Sequence, residues 1–341
     1  MKPETLDRLR SWLHAQGHIG QGVLTAKVLA GGQSNPTYLL EEGGRQFVLR
    51  KQPDGPLLKS AHAIDREYRV ISALQDSEVP VPEPLAWCDD TAVVGTPFYL
   101  MSFLAGRVFV DQSLPGLSGT ERDAVYREMN RVISALHALD PDQLGLSDYG
   151  RREGFIARQV DRWSRNLQSS TVPLSDDMHF MMDWLPAHLP SQTRSALIHG
   201  DYRRDNLIFH PAEWRVIGVL DWELSTLGDP MSDFAYHCMS WHIPHDLWRG
   251  IAGLDLRSLG IPDETTYRRW YAEHAMSAGY DAAVDDSVWC FYTAFNLFRM
   301  AAILHGIAER AQQGNANAAD AIETGRKAVP LAQLARRMVE N

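Results

Sequence analysis

The spacing of apolar residues changes part-way along this chain, and that change limits the fold more than any other feature. Up to Gly106 the pattern is one of strands and turns. Residues 23–29, 37–41, 46–50 and 98–104 are short β-type runs, punctuated by Gly31-Gly32 and Gly43-Gly44. Two helical patterns sit among them. Leu6, Leu9, Trp12 and Leu13 recur at helical spacing between Pro3 and Gly17. Ala63, Tyr68, Ile71 and Leu74 form the second, which must stop before Val79-Pro80-Val81-Pro82-Glu83-Pro84, because a proline ring excludes helical continuation. After Gly106 helical spacing dominates, over residues 120–139, 155–167, 174–188, 267–279, 288–312 and 328–339. One β-rich island interrupts it, at 196–199, 207–209 and 216–220. No internal repeat is present. The expected class is α+β, with a small β-rich lobe over residues 1–106 and a larger helical lobe over 107–341 that carries a hairpin insert.

Composition excludes several partners. The 33 Lys and Arg against 43 Asp and Glu give a formal net charge of -10. Nucleic acid requires a basic face that replaces phosphate counterions, and a lipid surface favours polybasic segments, so neither is expected as a partner. Cys88, Cys238 and Cys290 lie far apart with no C-x-x-C, which fits a reducing, cytoplasmic setting. The amphipathic N-terminal helix is not a signal peptide. The most apolar stretch is read as residues 92–106, short and broken by Gly95, Pro97 and Ser102, so no membrane span is expected. The charge is uneven: residues 1–106 hold ten basic and twelve acidic side chains, so most of the negative excess follows Gly106.

The β-rich island carries the chemistry. It reads Ile198-His199-Gly200-Asp201-Tyr202-Arg203-Arg204-Asp205-Asn206-Leu207-Ile208-Phe209, and fifteen residues past Asn206 comes Asp221, in Val219-Leu220-Asp221-Trp222-Glu223. An Asp, an Asn five positions on, an apolar strand, and a second apolar strand ending in Asp form a rare joint pattern. Phosphoryl transfer needs these groups: a carboxylate to orient and deprotonate a hydroxyl, and hard oxygen ligands for Mg²⁺. Asp201 fits the first role, and Asn206 and Asp221 the second. A hairpin between them is expected to place all three at one edge of a short sheet.

This arrangement resembles the catalytic and metal loops of the protein-kinase-like superfamily, and the upstream parts follow in order. Gly31, Gly32, Ser34 and Asn35 lie between two strands, where small residues let backbone N–H groups approach phosphate. The run Phe47-Val48-Leu49-Arg50-Lys51 resembles the strand with the phosphate-pairing lysine, with Arg50 at that position and Lys51 one register step away. Glu67 would pair with that cation. Met101, Ser102 and Leu104 match the segment that meets an adenine edge. His199 matches a position that braces the catalytic loop. The sequences His-Gly-Asp-Tyr-Arg-x-Asp-Asn, Asp-Trp-Glu and Leu227-Gly228-Asp229-Pro230 are similar to those of the aminoglycoside phosphotransferase and choline kinase group. Residues 60–70 and 159–163 extend the likeness to the kinase-like domains of acyl-CoA dehydrogenase family members 10 and 11.

The resemblance implies a two-lobed protein-kinase-like fold and transfer of the γ-phosphoryl of ATP, with Mg²⁺, to a hydroxyl of a small acceptor, such as a hydroxyacyl-CoA. Aminoglycoside or choline-type acceptors, and a pseudokinase that binds nucleotide or CoA without transfer, are the alternatives. Pro230 follows Asp221 by only nine residues, which leaves no room for a peptide-binding platform. The chain ends at 341, so no dehydrogenase domain is expected on it. Asp229 and Asp233 read as braces of the metal loop. Arg158, Arg162 and Arg165 share a helix face, read as solvated, with recognition of a CoA phosphate as the alternative. Arg299, alone among apolar residues of its helix, needs a partner. His237, Cys238, His242 and His245 would make a transition-metal site only with a further ligand pair, which the sequence lacks.

Overall fold

A computed structural model describes residues 1–29, 35–55, 63–313 and 321–340. The chain runs α1 (Pro3–Ala15), β1 (Thr25–Val28), β2 (Thr37–Glu42), β3 (Arg45–Lys51), α2 (Ile64–Leu74), β4 (Pro84–Cys88), α3 (Thr91–Val94), β5 (Phe98–Ser102), α4 (Gly119–Ala138), α5 (Phe155–Gln168), α6 (Asp176–Ala187) and β6 (Ala196–Ile198). It continues with β7 (Leu207–Phe209), β8 (Val216–Val219), β9 (Thr226–Gly228), α7 (Pro230–Cys238), α8 (Leu256–Leu259), α9 (Glu264–Ser277), α10 (Asp286–Gln312), α11 (Ala321–Arg326) and α12 (Ala328–Glu340). Its residues group into two compact units. The first is Met1–Val108 with Asn206–Ser225, and the second is Phe109–Asp205 with Thr226–Asn341.

The first unit is built on a five-stranded antiparallel sheet of order β1-β2-β3-β5-β4. Gly43 and Gly44 both hold positive φ, 59° and 81°, between the paired residues Glu42 and Arg45. That two-residue turn matches strand twist and sets the register of β2 on β3. Along β3, alternation sends Phe47 and Leu49 into a core with Leu9, Leu13, Leu40, Phe98 and Leu100. It turns Arg50 to the opposite face, where α2 buries Ile64, Glu67, Val70 and Leu74. The proline cluster is extended, and its last residue opens β4. No strand is foreseen there in the sequence, and an edge position explains how Pro84 is accommodated, since no ladder N–H is required of it.

The β7–β8 hairpin belongs to this unit for visible reasons. Arg107 and Phe209 exchange both backbone hydrogen bonds at 2.8 Å, and Val219 N donates to the Pro80 carbonyl at 2.8 Å. A Cβ on Gly106 would stand 2.3 Å from Phe209 O, and one on Gly218 would stand 2.2 Å from Leu104 Cδ1. Only glycine permits both approaches.

The second unit is helical. Its longest element, α10, packs on α5, α6, α7, α11 and α12. Among the described residues α10 is the one helix long and apolar enough to cross a membrane by length and composition, and 72% of its apolar window is buried inside the protein. The sequence reading placed the most apolar stretch at 92–106, which instead forms α3 and β5. Helix α7 is not foreseen either. All nine of its residues are buried, so no amphipathic period marks it. Asp229 starts it, accepting from Met231 N at 2.9 Å, with Pro230 at the first helical position.

The expectation of one short sheet edge for Asp201, Asn206 and Asp221 is corrected. Strand β6, which leads into Asp201, pairs with β9, from Ala196↔Gly228 to Ile198↔Thr226. Strands β7 and β8 form a separate ribbon. The 199–205 loop therefore ends one ribbon and feeds another, because the three residues of β6 find their partner only after Asp221.

The core of the second unit holds several satisfied polar groups. His237 bonds Tyr267 Oη at 2.8 Å, and Tyr202 Oη donates to Met129 O at 2.9 Å. Burial first, and the nearby Arg204 charge second, push the His237 ring down to about 3. In the unfolded chain an imidazole titrates near ~6.5. The unfolded state thus takes up the proton as pH falls below that value, and stability falls with it. His237→Gln removes this contribution, so its loss of stability from pH 7 to pH 5 should be shallower than wild type by about 2 kcal/mol. Urea denaturation at both pH values reads the difference directly, and parallel profiles would remove His237 as a source.

Candidate active site

Arg50 is the centre of the site in the first unit. Its Nε lies 2.7 Å from Glu67 Oε2, and its Nη2 lies 3.0 Å from Asp221 Oδ1 and 3.8 Å from Glu223 Oε2. Glu67 is 1% exposed and also accepts from Asn35 Nδ2 at 2.8 Å and Tyr99 Oη at 3.1 Å. Burial pushes the Glu67 carboxyl up, against the pull of Arg50. Burial also works against charge on Arg50, but Glu67 and Asp221 more than offset it, and the guanidinium stays charged. Lys51 faces the other side of β3, bonding Asp54 Oδ1 at 2.9 Å and Val94 O at 3.3 Å. Strand alternation therefore selects Arg50, not Lys51, as the partner of Glu67. Asn35 is fully buried and its amide supports Glu67. Gly31, Gly32 and Ser34 lie outside the described residues.

The hairpin brings Asn206 and Asp221 to the same end of one ribbon. Leu207 pairs with Val219, and Leu220 N donates to Asn206 O at 2.8 Å, so Asp221 follows directly beside Asn206. Asp221 has φ 67° and ψ 57°, a left-handed conformation that costs energy for a residue with a Cβ. Trp222 holds that turn, 1% exposed, its Nε1 donating to Val219 O at 2.9 Å. An amide oxygen and a carboxylate on adjoining strand ends are hard donors of the type Mg²⁺ takes, so the residues present fit that ion. Met101 and Ser102 end β5, where Ser102 Oγ accepts from Glu83 N at 2.9 Å, and Leu104 lies over Gly218 of β8.

Asp201 stands in the second unit, its side chain 17% exposed. Arg203 Nε donates to its Oδ2 at 2.9 Å, and Tyr236 Oη donates to its Oδ1. Burial and then the Asp201 charge raise the Tyr236 hydroxyl well above its usual range, so it remains a donor. The loop behind Asp201 is held from below. His199 is fully buried and its Nδ1 accepts from Asp201 N at 3.2 Å, the bracing role expected of it. Asp233 accepts from His199 N and Gly200 N, both at 2.8 Å, while His137 lies 3.2 Å from its Oδ2. Burial opposes charge on Asp233, but these donors outweigh it and hold the carboxyl below its ordinary value. Asp233 thus braces the Asp201 loop rather than the metal loop, and Asp229 caps α7 while accepting from Tyr292 Oη at 2.5 Å. Arg299 finds its partner here too: Nη2 donates to Gly200 O at 2.7 Å, and the guanidinium lies 5.0 Å from the Tyr236 ring centre.

Other candidates are consumed locally. Arg158 bonds the Glu153 and Arg151 carbonyls, Arg165 pairs with exposed Asp161, and Arg162 lies over Trp163. His242 bonds Glu264 at 2.7 Å, and among the described residues no three His, Cys, Asp or Glu side chains gather as metal ligands.

A sequence profile of the phosphotransferase enzyme family matches residues 25–274. The chain belongs to that family. It is 44% identical over 306 residues to acyl-CoA dehydrogenase family member 10 of Mus musculus, covering 89% of this chain and 28% of that protein. Across the curated relatives it matches, it spans 28% to 42% of their length. A provisionally assigned aminoglycoside phosphotransferase from Ralstonia eutropha JMP134 has a crystal structure that superposes with a TM-score of 0.88 at 45% identity, covering 98% of each chain. An aminoglycoside phosphotransferase in complex with GDP and kanamycin shares the fold alone, with a TM-score of 0.64 at 15% identity over 96% of this chain and 98% of that one. The protein-kinase-like fold and membership of a phosphotransferase family are thereby established.

Tyr99, Arg203, Glu223 and Tyr236 stand at the candidate site and were missed by sequence reasoning. The Tyr236 ring is buried, and only the tertiary fold shows that its hydroxyl meets Asp201. Arg203 carried a signal, since a cation two residues past Asp201 can reach it without long-range structure. The Glu67 cluster gives a direct test. Glu67→Ala leaves the buried Arg50 without its main counter-charge and should cost about 3 kcal/mol in chemical denaturation, since breaking a buried pair exposes an uncompensated charge. A loss below ~0.5 kcal/mol, the scale of an ordinary surface change, would show that the pair is not coupled to folding.

Proposed function

We propose that this phosphotransferase moves the γ-phosphoryl of ATP to a hydroxyl of a small acceptor, with Asp201 as the catalytic carboxylate. One observation carries the reading: Asp201 is held in place by Tyr236 and Arg203, from a loop that leads five residues later to Asn206. Arg203 donates to one oxygen of Asp201 and Tyr236 to the other, which fixes the carboxylate. It accepts the hydrogen bond of the acceptor hydroxyl, orients that oxygen, and takes the proton as the new O–P bond forms. The Asn206 amide oxygen and the Asp221 carboxylate would hold Mg²⁺, which supplies charge neutralisation at the phosphates when bound. Arg50, fixed by Glu67, presents its guanidinium to the nucleotide phosphates. Met101, Ser102 and Leu104 form the purine-binding edge. Kinship with proteins named as acyl-CoA dehydrogenase family members supports a hydroxyacyl-CoA as acceptor.

A second reading, a nucleotide-binding protein without transfer, draws on the contact of Arg50 with Asp221 Oδ1, which occupies a metal-binding oxygen. The two are separated by a coupled ADP-release assay over hydroxyacyl-CoA, aminoglycoside and choline-type acceptors. Asp201→Asn should lower turnover by about 10²- to 10⁴-fold, the contribution of a positioned general base. Calorimetric ATP affinity should stay within about twofold, a change of ~0.4 kcal/mol. Undiminished turnover in this variant would refute the role of Asp201. ATP binding with no transfer to any acceptor would favour the second reading.

A further inference from the structure

Arg204 lies close to Asp201 in the chain, and the transfer mechanism leaves its chemistry unused. It is 1% exposed, among the largest side chains buried in the protein. Nη1 donates to the Asp111 carbonyl at 2.7 Å, and the guanidinium lies 4.9 Å from the centre of the Tyr126 ring. Among the described residues, Nε and Nη2 make no well-formed hydrogen bond, although the Tyr126 hydroxyl lies close enough to feel the guanidinium. A buried guanidinium without a counter-ion is costly, and native structures keep one only where a ligand, an ion or solvent completes it.

The surroundings say which. Arg204 lines a small, half-open cavity of about 30 Å³, together with Arg203, Tyr236, Trp248, Arg249 and Gln112. Two of these residues, Arg203 and Tyr236, hold Asp201 directly, so the cavity adjoins the catalytic carboxylate. Three guanidiniums face two carboxylates here. Asp205 is shared by Arg203 Nη1 at 2.7 Å and Arg249 Nη1 at 3.3 Å, and Asp201 is taken by Arg203 and Tyr236. Asp205 also feels the Arg204 charge, so three guanidiniums share two carboxylates and one positive charge is in excess. The neighbouring His237 is held neutral, by burial and then by Arg204, so it adds no competing cation. Arg249 is presented by a backbone at φ 48°, a left-handed position secured by the Ile251 N to Ser240 O bond at 2.8 Å and the Ala252 N to Ile243 O bond at 3.0 Å. A local excess of positive charge on fixed side chains stands against the net charge of -10 of the whole chain.

We propose that the acceptor carries an anionic group, a carboxylate or a phosphate, that docks on Arg204 in this cavity and sets its hydroxyl against Asp201. The inference rests on the reading of Asp201 as the catalytic carboxylate. It also separates this chain from phosphotransferases that take cationic amino sugars, because a protonated amine in this cavity would meet the excess positive charge.

The test reads binding without turnover, so that it stands apart from the kinase reading. Wild-type protein saturated with ADP is titrated with inorganic phosphate, with a short hydroxy carboxylate, and with the neutral amide of that acid, by calorimetry and thermal shift. One of the two anions should bind and raise Tm, and the amide should not. Which anion binds identifies a phosphorylated acceptor or a hydroxy acid. Arg204→Met should weaken anion binding about 10- to 100-fold, the loss of a charge-assisted hydrogen bond, with ADP affinity retained. Arg204→Lys keeps the charge without the fork and should fall between the two, which preserves the test if the methionine variant does not fold. Equal anion binding in wild type and either variant, or no anion binding in wild type, overturns the proposal. Absence of any transfer activity alongside Arg204-dependent anion binding would instead count against the kinase reading alone.

Discussion

The buried carboxylate of Glu67 is the contact on which the first unit depends. Three donors converge on it, from the loop before β2, from β3 and from β5, and the strongest is the guanidinium of Arg50. A carboxylate 1% exposed would otherwise be neutral or unfolded. Burial pushes this carboxyl up, and the donors that oppose the push come from elements whose positions are already set by the sheet. The same guanidinium reaches Asp221, so the charge network extends from α2 through β3 to the turn that ends β8. Arginine suits this better than lysine. A planar fork can meet Glu67 with one edge and Asp221 with another, whereas an ammonium is a single point of charge.

The second unit uses a different device for the same end. Its key loop has no sheet around it beyond the three-residue β6, so backbone N–H groups of His199 and Gly200 are satisfied by a side chain instead, the carboxylate of Asp233. Asp233 sits on α7, whose start is fixed by Asp229 and Pro230, and whose other residue Tyr236 reaches Asp201 one turn further along. A short buried helix therefore both supports the loop from beneath and orients the Asp201 carboxylate. Arg299, from the apolar helix α10, completes the arrangement by accepting no role at the surface and donating to Gly200 O. Polar residues in an apolar helix are explained here by the backbone carbonyl they satisfy.

Much of this was legible beforehand. The strands of the first unit, the long helices of the second, and the set Asp201, Asn206, Asp221, Arg50 and Glu67 are carried by periodicity and by short-range spacing, which a chain displays without folding. What escaped shares a physical cause. Helix α7 is buried on every side and so has no polar face to mark its period. The β6–β9 pairing joins residues about thirty positions apart across an intervening ribbon, and a three-residue strand has no pattern of its own. Tyr99 and Tyr236 look like core residues because their rings are core; only the hydroxyl is functional.

The sequence by itself determined most of the order of elements, the chemistry of the candidate groups — carboxylates, an amide and a cation at kinase-like spacing — and the family to which they point. The tertiary structure decided which groups meet. Strand alternation turned Arg50 rather than its neighbour Lys51 toward Glu67, a choice that one step of register reverses. Helix packing left Arg204 enclosed with two nitrogens in no well-formed hydrogen bond, although in the sequence it is indistinguishable from the adjacent Arg203, which found two carboxylates. Spacing along a chain encodes local geometry, while the pairing of charges is settled by surfaces brought together from distant segments, and burial then raises the energetic stakes of each pairing.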